Sequence, residues 1–206
     1  MASAKSPTPT QARAVEKRDR IYEVATAQFR RHGVKGTRVE DIIAEAEVSW
    51  ATFFRYFPRK EDVLVEAAAR HYREHVKVTA EAGIADRRLR VRTVIERTFA
   101  AALGPSDVSD ELNAAALLEV FADPPGFAER VGEGPFPMIQ LVAALLAEGQ
   151  RRGEVDPGLD PSAAAMTVVA GSVFPAVQAA AAGLDPRTGV EHALAVLWRG
   201  LGTEEH

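Results

Sequence analysis

SWATFFRYFPRKEDVL, Ser49–Leu64, sets Trp50, Phe53, Phe54, Tyr56 and Phe57 close together, threads Arg55 among them and breaks at Pro58. The chain has 2 Trp, 3 Tyr and 9 Phe, so more than a third of its aromatics fall in this one piece. Ser49 is suited to cap a short helix from Trp50 to Tyr56 or Phe57, which the proline ends. Phe53 and Phe57 are four residues apart and share a face, so they point to a core. Trp50, Ala51, Thr52, Phe54, Arg55 and Tyr56 occupy the rest of a circumference too short to be buried all round. Exposed large aromatics beside a cation mark a contact surface. The DNA major groove admits a helix, offers thymine methyls and purine acceptors on its floor, and has phosphate walls that hydroxyls and arginine bind. A contact with another helix of the protein is the plainer alternative.

Upstream, Ile21, Val24, Ala25 and Phe29 make one apolar stripe on a helix from about Gln11 to His32, and Gly33 is placed to end it. TRVE, Thr37–Glu40, has the capping-box pattern, which predicts that Thr37 caps a helix starting at Arg38 and running to about Ala46. Two short helices separated by AEVS form a helix-turn-helix candidate. Val39, Ile42, Ile43, Ala46, Val48, Phe53 and Phe57 supply its shared core with the first helix.

Charge agrees with this placement. Residues 1–60 carry 12 Lys and Arg against 7 Asp and Glu, a balance of +5, whereas residues 61–206 carry 13 against 22, a balance of −9. A basic head on an acidic body suits a polyanion partner that touches only the head. There is no cysteine, which excludes disulfides, thiol catalysis and cysteine-ligated zinc. MASAKSPTPTQA lacks the apolar core of a signal peptide and reads as a disordered tail over residues 1–12. No run of about 18 apolar residues stands out, so no membrane span is expected and a cytoplasmic location is.

The rest is helical by period, with Ala, Leu, Glu and Arg abundant and little alternation of period two. Helices are predicted at about Lys60–Ala82, closed by Gly83, then Arg87–Leu103, Asp110–Phe121, Pro137–Arg152, Pro161–Ala182 and Pro186–Leu201. DPPG, Asp123–Gly126, reads as punctuation between two of them. Asp160-Pro161 and Asp185-Pro186 each put a capping carboxylate before a proline suited to the first turn. The expected architecture is all-α, about nine helices in total. It comprises the tail at 1–12, a three-helix helix-turn-helix domain at 13–58 and a helical ligand-binding and dimerisation domain at 59–206.

The order of residues in GVKGTRVEDIIAEAEVSWATFFRYFPRKEDVL, Gly33–Leu64, behind an entry helix with FRRHG, resembles the DNA-binding head of TetR-family transcriptional regulators. By motif the resemblance covers about Arg18–Leu64; beyond that it rests on length and helical architecture. It implies a homodimer that binds palindromic double-stranded operator DNA, most often as a repressor, and is released by a small, often apolar effector. On that likeness Thr37 and Arg38 fall where the family touches phosphate. Ser49, Trp50, Ala51, Thr52, Phe54, Arg55 and Tyr56 fall on the recognition helix, and Lys60 matches a phosphate-binding lysine. Glu47 stands where the family commonly has glycine; a left-handed backbone there costs about 1 kcal/mol. Phe54 replaces a frequent tyrosine and loses its hydroxyl, and Trp50 is bulky for a base-reading position.

The resemblance places the dimer interface on the alanine-rich helices at about 161–182 and 186–201, with Pro175 expected to kink the first. Candidate lining residues for an apolar effector are Phe99, Leu103, Leu117, Phe121, Met138, Leu141 and Phe174, at spacings that also suit plain core. His71 and His75 stand at i, i+4, a spacing that suits a metal, but no third ligand is evident, so neither metal nor cofactor is expected. An enzyme is disfavoured: there is no paired Glu-x-x-His, no GxxxxGK[ST] loop and no GxSxG, and no catalytic residue is assigned. A DNA-binding architectural protein without ligand control would share the head.

Overall fold

The computed structural model describes residues 9–104, 115–116, 118–120, 122–132, 136–182 and 184–201. Among these residues there is no β-strand, in keeping with the all-α expectation. In chain order the elements are α1 (Pro9–Gly36), α2 (Val39–Ala46), α3 (Trp50–Tyr56), α4 (Asp62–His71), a π-helical turn (Tyr72–Val76), α5 (Lys77–Ala85), α6 (Val91–Ala102), α7 (Pro124–Val131), α8 (Pro137–Arg151), α9 (Pro161–Ala181) and α10 (Pro186–Leu201). They form two compact units, residues 1–66 and 67–206, which divide inside α4.

In the first unit the predicted stripe of α1 is buried: Ile21, Val24, Ala25 and Phe29 are each at most 5% exposed. Helix α1 already runs from Pro9, within the stretch expected to be a tail; residues 1–8 lie outside the described residues. Gly33 breaks α1 with φ 69° and ψ 163°, after which the chain turns helically to Gly36. The capping box does not form. Thr37 is buried, and both its hydroxyl (2.8 Å) and its N–H (3.2 Å) donate to the Gly33 carbonyl bared by that break. Arg38, extended at φ −96°, stands at the N-cap of α2 with no side-chain bond, so α2 starts one residue later than predicted. Glu47 ends α2 in the left-handed region, at φ 55° and ψ 43°. Ser49 caps α3 as expected, accepting the Thr52 N–H at 3.2 Å. Ile42, Phe53 and Phe57 are wholly buried.

In the second unit the core is built from α6, α8, α9 and α10, around Ile95, Phe99, Leu145, Leu146 and Val168. Gly83 does not close a helix. Buried inside α5, it presses on α6, where an added Cβ would lie 2.8 Å from Val94 Cγ1. The predicted helix at Asp110–Phe121 lies mostly outside the described residues; Ala115, Ala116 and Leu118–Val120 are helical. Helix α7 is not among the predicted helices. DPPG is its start rather than mere punctuation: Asp123 Oδ1 accepts the Gly126 N–H at 3.1 Å and the prolines fill the first turn. Asp160 caps α9 by accepting the Ala163 N–H at 2.8 Å, and Asp185 accepts the Arg187 N–H at 2.9 Å before α10.

Helices α9 and α10 pair closely. Gly189 lies so near the backbone of α9 that a Cβ would come within 2.6 Å of the Pro175 carbonyl oxygen. Over Pro161–Ala179, α9 is long and apolar enough by length and composition to cross a membrane, with mean hydropathy 1.4, but only 28% of that window is buried. No unbroken apolar run is present, since Ser, Thr, Gly and Gln interrupt the helix; it reaches that hydropathy because none of them adds charge.

Arg152, past the end of α8, ties three segments. It donates to Ile84 O (2.8 Å), Leu89 O (3.1 Å) and Glu148 Oε1 (2.7 Å). Bonds from Arg152 first and Arg151 second hold the Glu148 carboxyl below its ordinary 4.5. A carboxyl lowered in the folded state contributes stability above its unfolded pKa and loses it as pH falls through the folded one. Thermal midpoints measured against pH should therefore drop below pH 4.5, and Glu148→Gln should flatten that drop. An unchanged acid slope in the variant would assign the loss to other carboxylates.

Candidate nucleic-acid interface

The first unit presents one surface around α3. Trp50 is 49% and Phe54 42% exposed, their rings stacked at 5.6 Å between centroids and 18° between planes. Ser49, Ala51 and Arg55 are also exposed, and Thr52 and Tyr56 are half-buried. Beneath them Phe53 is wholly buried and meets Phe54 edge-on at 5.3 Å. The predicted division of α3 into a core side and an outward side is thus the one found.

Not every candidate faces outward. Thr37 spends its hydroxyl on Gly33 and is 3% exposed, so its side chain is not placed to bind phosphate. Arg38 is well exposed, touching Glu40 only at 3.8 Å, a pair worth little in water. Lys60 Nζ donates to Val34 O (2.7 Å) and Thr37 O (2.8 Å), bridging the break between α1 and α2. The ammonium is thereby given a structural task that no local pattern announces, since its partners lie 26 and 23 residues away. Lys60→Met should loosen this corner by about 1–3 kcal/mol and speed amide exchange of Val34–Arg38 in the DNA-free protein. Unaltered exchange would return Lys60 to a purely phosphate-facing role.

In the second unit a groove of about 440 Å³ runs between α6 and α10. Phe99, Leu103, Val190 and Leu194 line it, and Arg92, Arg97, Arg187, Glu96 and Glu191 add charge. Phe99 and Leu103 are both candidates for a pocket by sequence. Met138 and Leu141 pack against the core of this unit instead, and Leu117 and Phe121 lie outside the described residues. Phe174 departs from expectation: it is 67% exposed on α9, because that helix has a second apolar face that the chain leaves uncovered. His71 Nε2–H donates to Ala101 O at 2.7 Å, and its ring sits 4.9 Å from that of His75.

A capped three-helix head with an outward, aromatic-bearing second helix of a helix-turn-helix defines a DNA-binding unit. The profile of the bacterial regulatory proteins, tetR family, matches residues 21–67. Over those residues the chain carries the head typical of that family of bacterial regulators. No curated protein matches the sequence. Solved structures share the fold over nearly the whole chain. Thermus thermophilus FadR, a TetR-family transcriptional repressor in complex with lauroyl-CoA, has a TM-score of 0.75 at 22% identity, covering 92% of this chain and 97% of that one. RolR in complex with resorcinol has a TM-score of 0.67 at 17% identity, covering 94% and 91%. The SmeT–triclosan complex has a TM-score of 0.60 at 22% identity, covering 92% and 93%.

Proposed function

We propose that the protein is a ligand-responsive repressor that binds a palindromic operator as a homodimer and leaves it when a small effector occupies the second unit. The observation that carries the DNA-binding part is the outward aromatic surface of α3 in the basic part of the chain, which also exposes Arg38. In a dimer the two recognition helices would meet successive major grooves roughly 34–36 Å apart. The uncovered apolar face of α9, with Met166 and Phe174 more than half exposed, supports self-association. The groove between α6 and α10 supports an effector with an apolar body. Lauroyl-CoA, resorcinol and triclosan, the ligands of the similar structures, are the first probes to try.

Selection of bound duplexes from a random library, with affinity followed against salt, tests the reading. A palindromic site with a steep salt slope is the expected result. Arg38→Ala and Trp50→Ala should weaken binding without unfolding the protein, and Arg38→Ala should reduce the salt slope by about 1. Wild-type affinity in both variants would mean the contact face lies elsewhere. An effector should lower DNA affinity about 5–150-fold. A ligand that occupies the groove yet leaves affinity untouched would favour an architectural DNA-binding protein without ligand control.

A further inference from the structure

We infer that Trp50 and Phe54 act as one aromatic plate that reads the 5-methyl group of thymine in the operator. The inference rests on the operator-binding reading above and adds what the recognition helix recognises.

The polar groups of α3 are largely engaged with one another. Ser49 Oγ accepts the Thr52 N–H and lies 2.9 Å from Thr52 Oγ1. Arg55 Nη2 donates to Tyr56 Oη at 3.1 Å, and the guanidinium carbon sits 4.8 Å from the centre of the Tyr56 ring. Phe54 and the stacked ring faces are the part of this surface without a hydrogen-bonding atom, the Trp50 indole N–H being the pair's one donor. The plate is also preorganised. Phe54 is held face-on by Trp50 and edge-on by the buried Phe53, so little freedom remains to be lost on contact. Ala51 beside it is exposed and small, which leaves room for close approach.

All four bases present hydrogen-bonding atoms in the major groove, thymine its O4 among them, and apolar ring faces pressed on those atoms would strip their water without replacing it. Thymine alone presents a methyl group there. Of the four bases, it is the one whose exposed feature gains from such a surface.

The test uses the duplex selected by the full-length protein, with each thymine replaced in turn by uracil. That change deletes the methyl group and keeps every base-pair hydrogen bond. At one or more positions in each half-site, wild-type binding should weaken about fourfold per methyl lost, the worth of one buried methylene-sized group. In Trp50→Ala and Phe54→Ala, thymine and uracil at those positions should bind within about twofold. The inference is overturned if every uracil duplex binds the wild type as well as its thymine parent, or if the discrimination survives in both variants. A protein that selects no sequence at all fails at the earlier step, because no thymine parent is then preferred.

Discussion

Phe174→Arg is expected to leave the protein monomeric and to weaken operator binding about 100-fold or more, the scale of losing a second linked contact. Phe174 is 67% exposed and Met166 59% exposed, and Ala163 and Ala170 extend the same apolar face along α9. Val196 on α10 is a further exposed apolar side chain, at 54%. A charge placed in that face would have to be buried without a partner when two copies meet. Within one protomer the same residue stays in water, so circular dichroism and the melting of the isolated chain should change little. Light scattering on the purified variant, alongside DNA titration at fixed salt, measures both effects. A variant that remains dimeric with wild-type affinity would remove α9 from the interface. Wild-type chains that are monomeric and sediment with lipid vesicles would assign the face, and the hydropathy of Pro161–Ala179, to a membrane surface instead.

The second large effect belongs to the head. Phe53 is wholly buried and touches both Phe54 and Phe57. Phe53→Ala should cost about 3–5 kcal/mol, the usual toll of a phenylalanine-sized cavity. In so small a unit that is a large share of the total stability. DNA binding should be lost, while helices α6–α10 keep their own unfolding transition. Denaturant titration followed by circular dichroism would resolve an early phase absent from the wild type. One transition displaced as a whole would mean that the two units unfold together.

The head is legible in sequence because its determinants are local. The stripe Ile21, Val24, Ala25 and Phe29, the Ser49 cap and the stop at Pro58 all act within a few residues, and each is found as read. Even the left-handed Glu47 can be anticipated, from the glycine usual at that turn in the family it resembles. Thr37 misleads because its cap competes with a carbonyl freed at Gly33, and Lys60 because its partners are distant in sequence. In the body, local pattern is a poorer guide. Apolar residues at helical spacing do not say which face is covered, which is why Phe174 reads as a pocket residue and stands in the open. Gly83 looks like a terminator yet serves close packing against Val94, and the Asp-Pro signal that opens α9 and α10 opens α7 as well.

The π-helical turn at Tyr72–Val76 sets the phase of helix α5 behind it. It lets Tyr72 donate to Pro137 O at 3.1 Å and Arg73 to Arg130 O at 2.6 Å. A π turn holds one residue more than the α-helical ladder would, so the stretch acts as a one-residue insertion in an otherwise continuous rod. Deleting Glu74 should therefore restore even α-helical winding and leave the side chains from Lys77 onward close to their present phase. Gly83 would then keep its place against Val94. For this rod, sequence alignment and spatial alignment part company at Tyr72. Any graft of α5 onto a straight helix has to leave the extra residue behind.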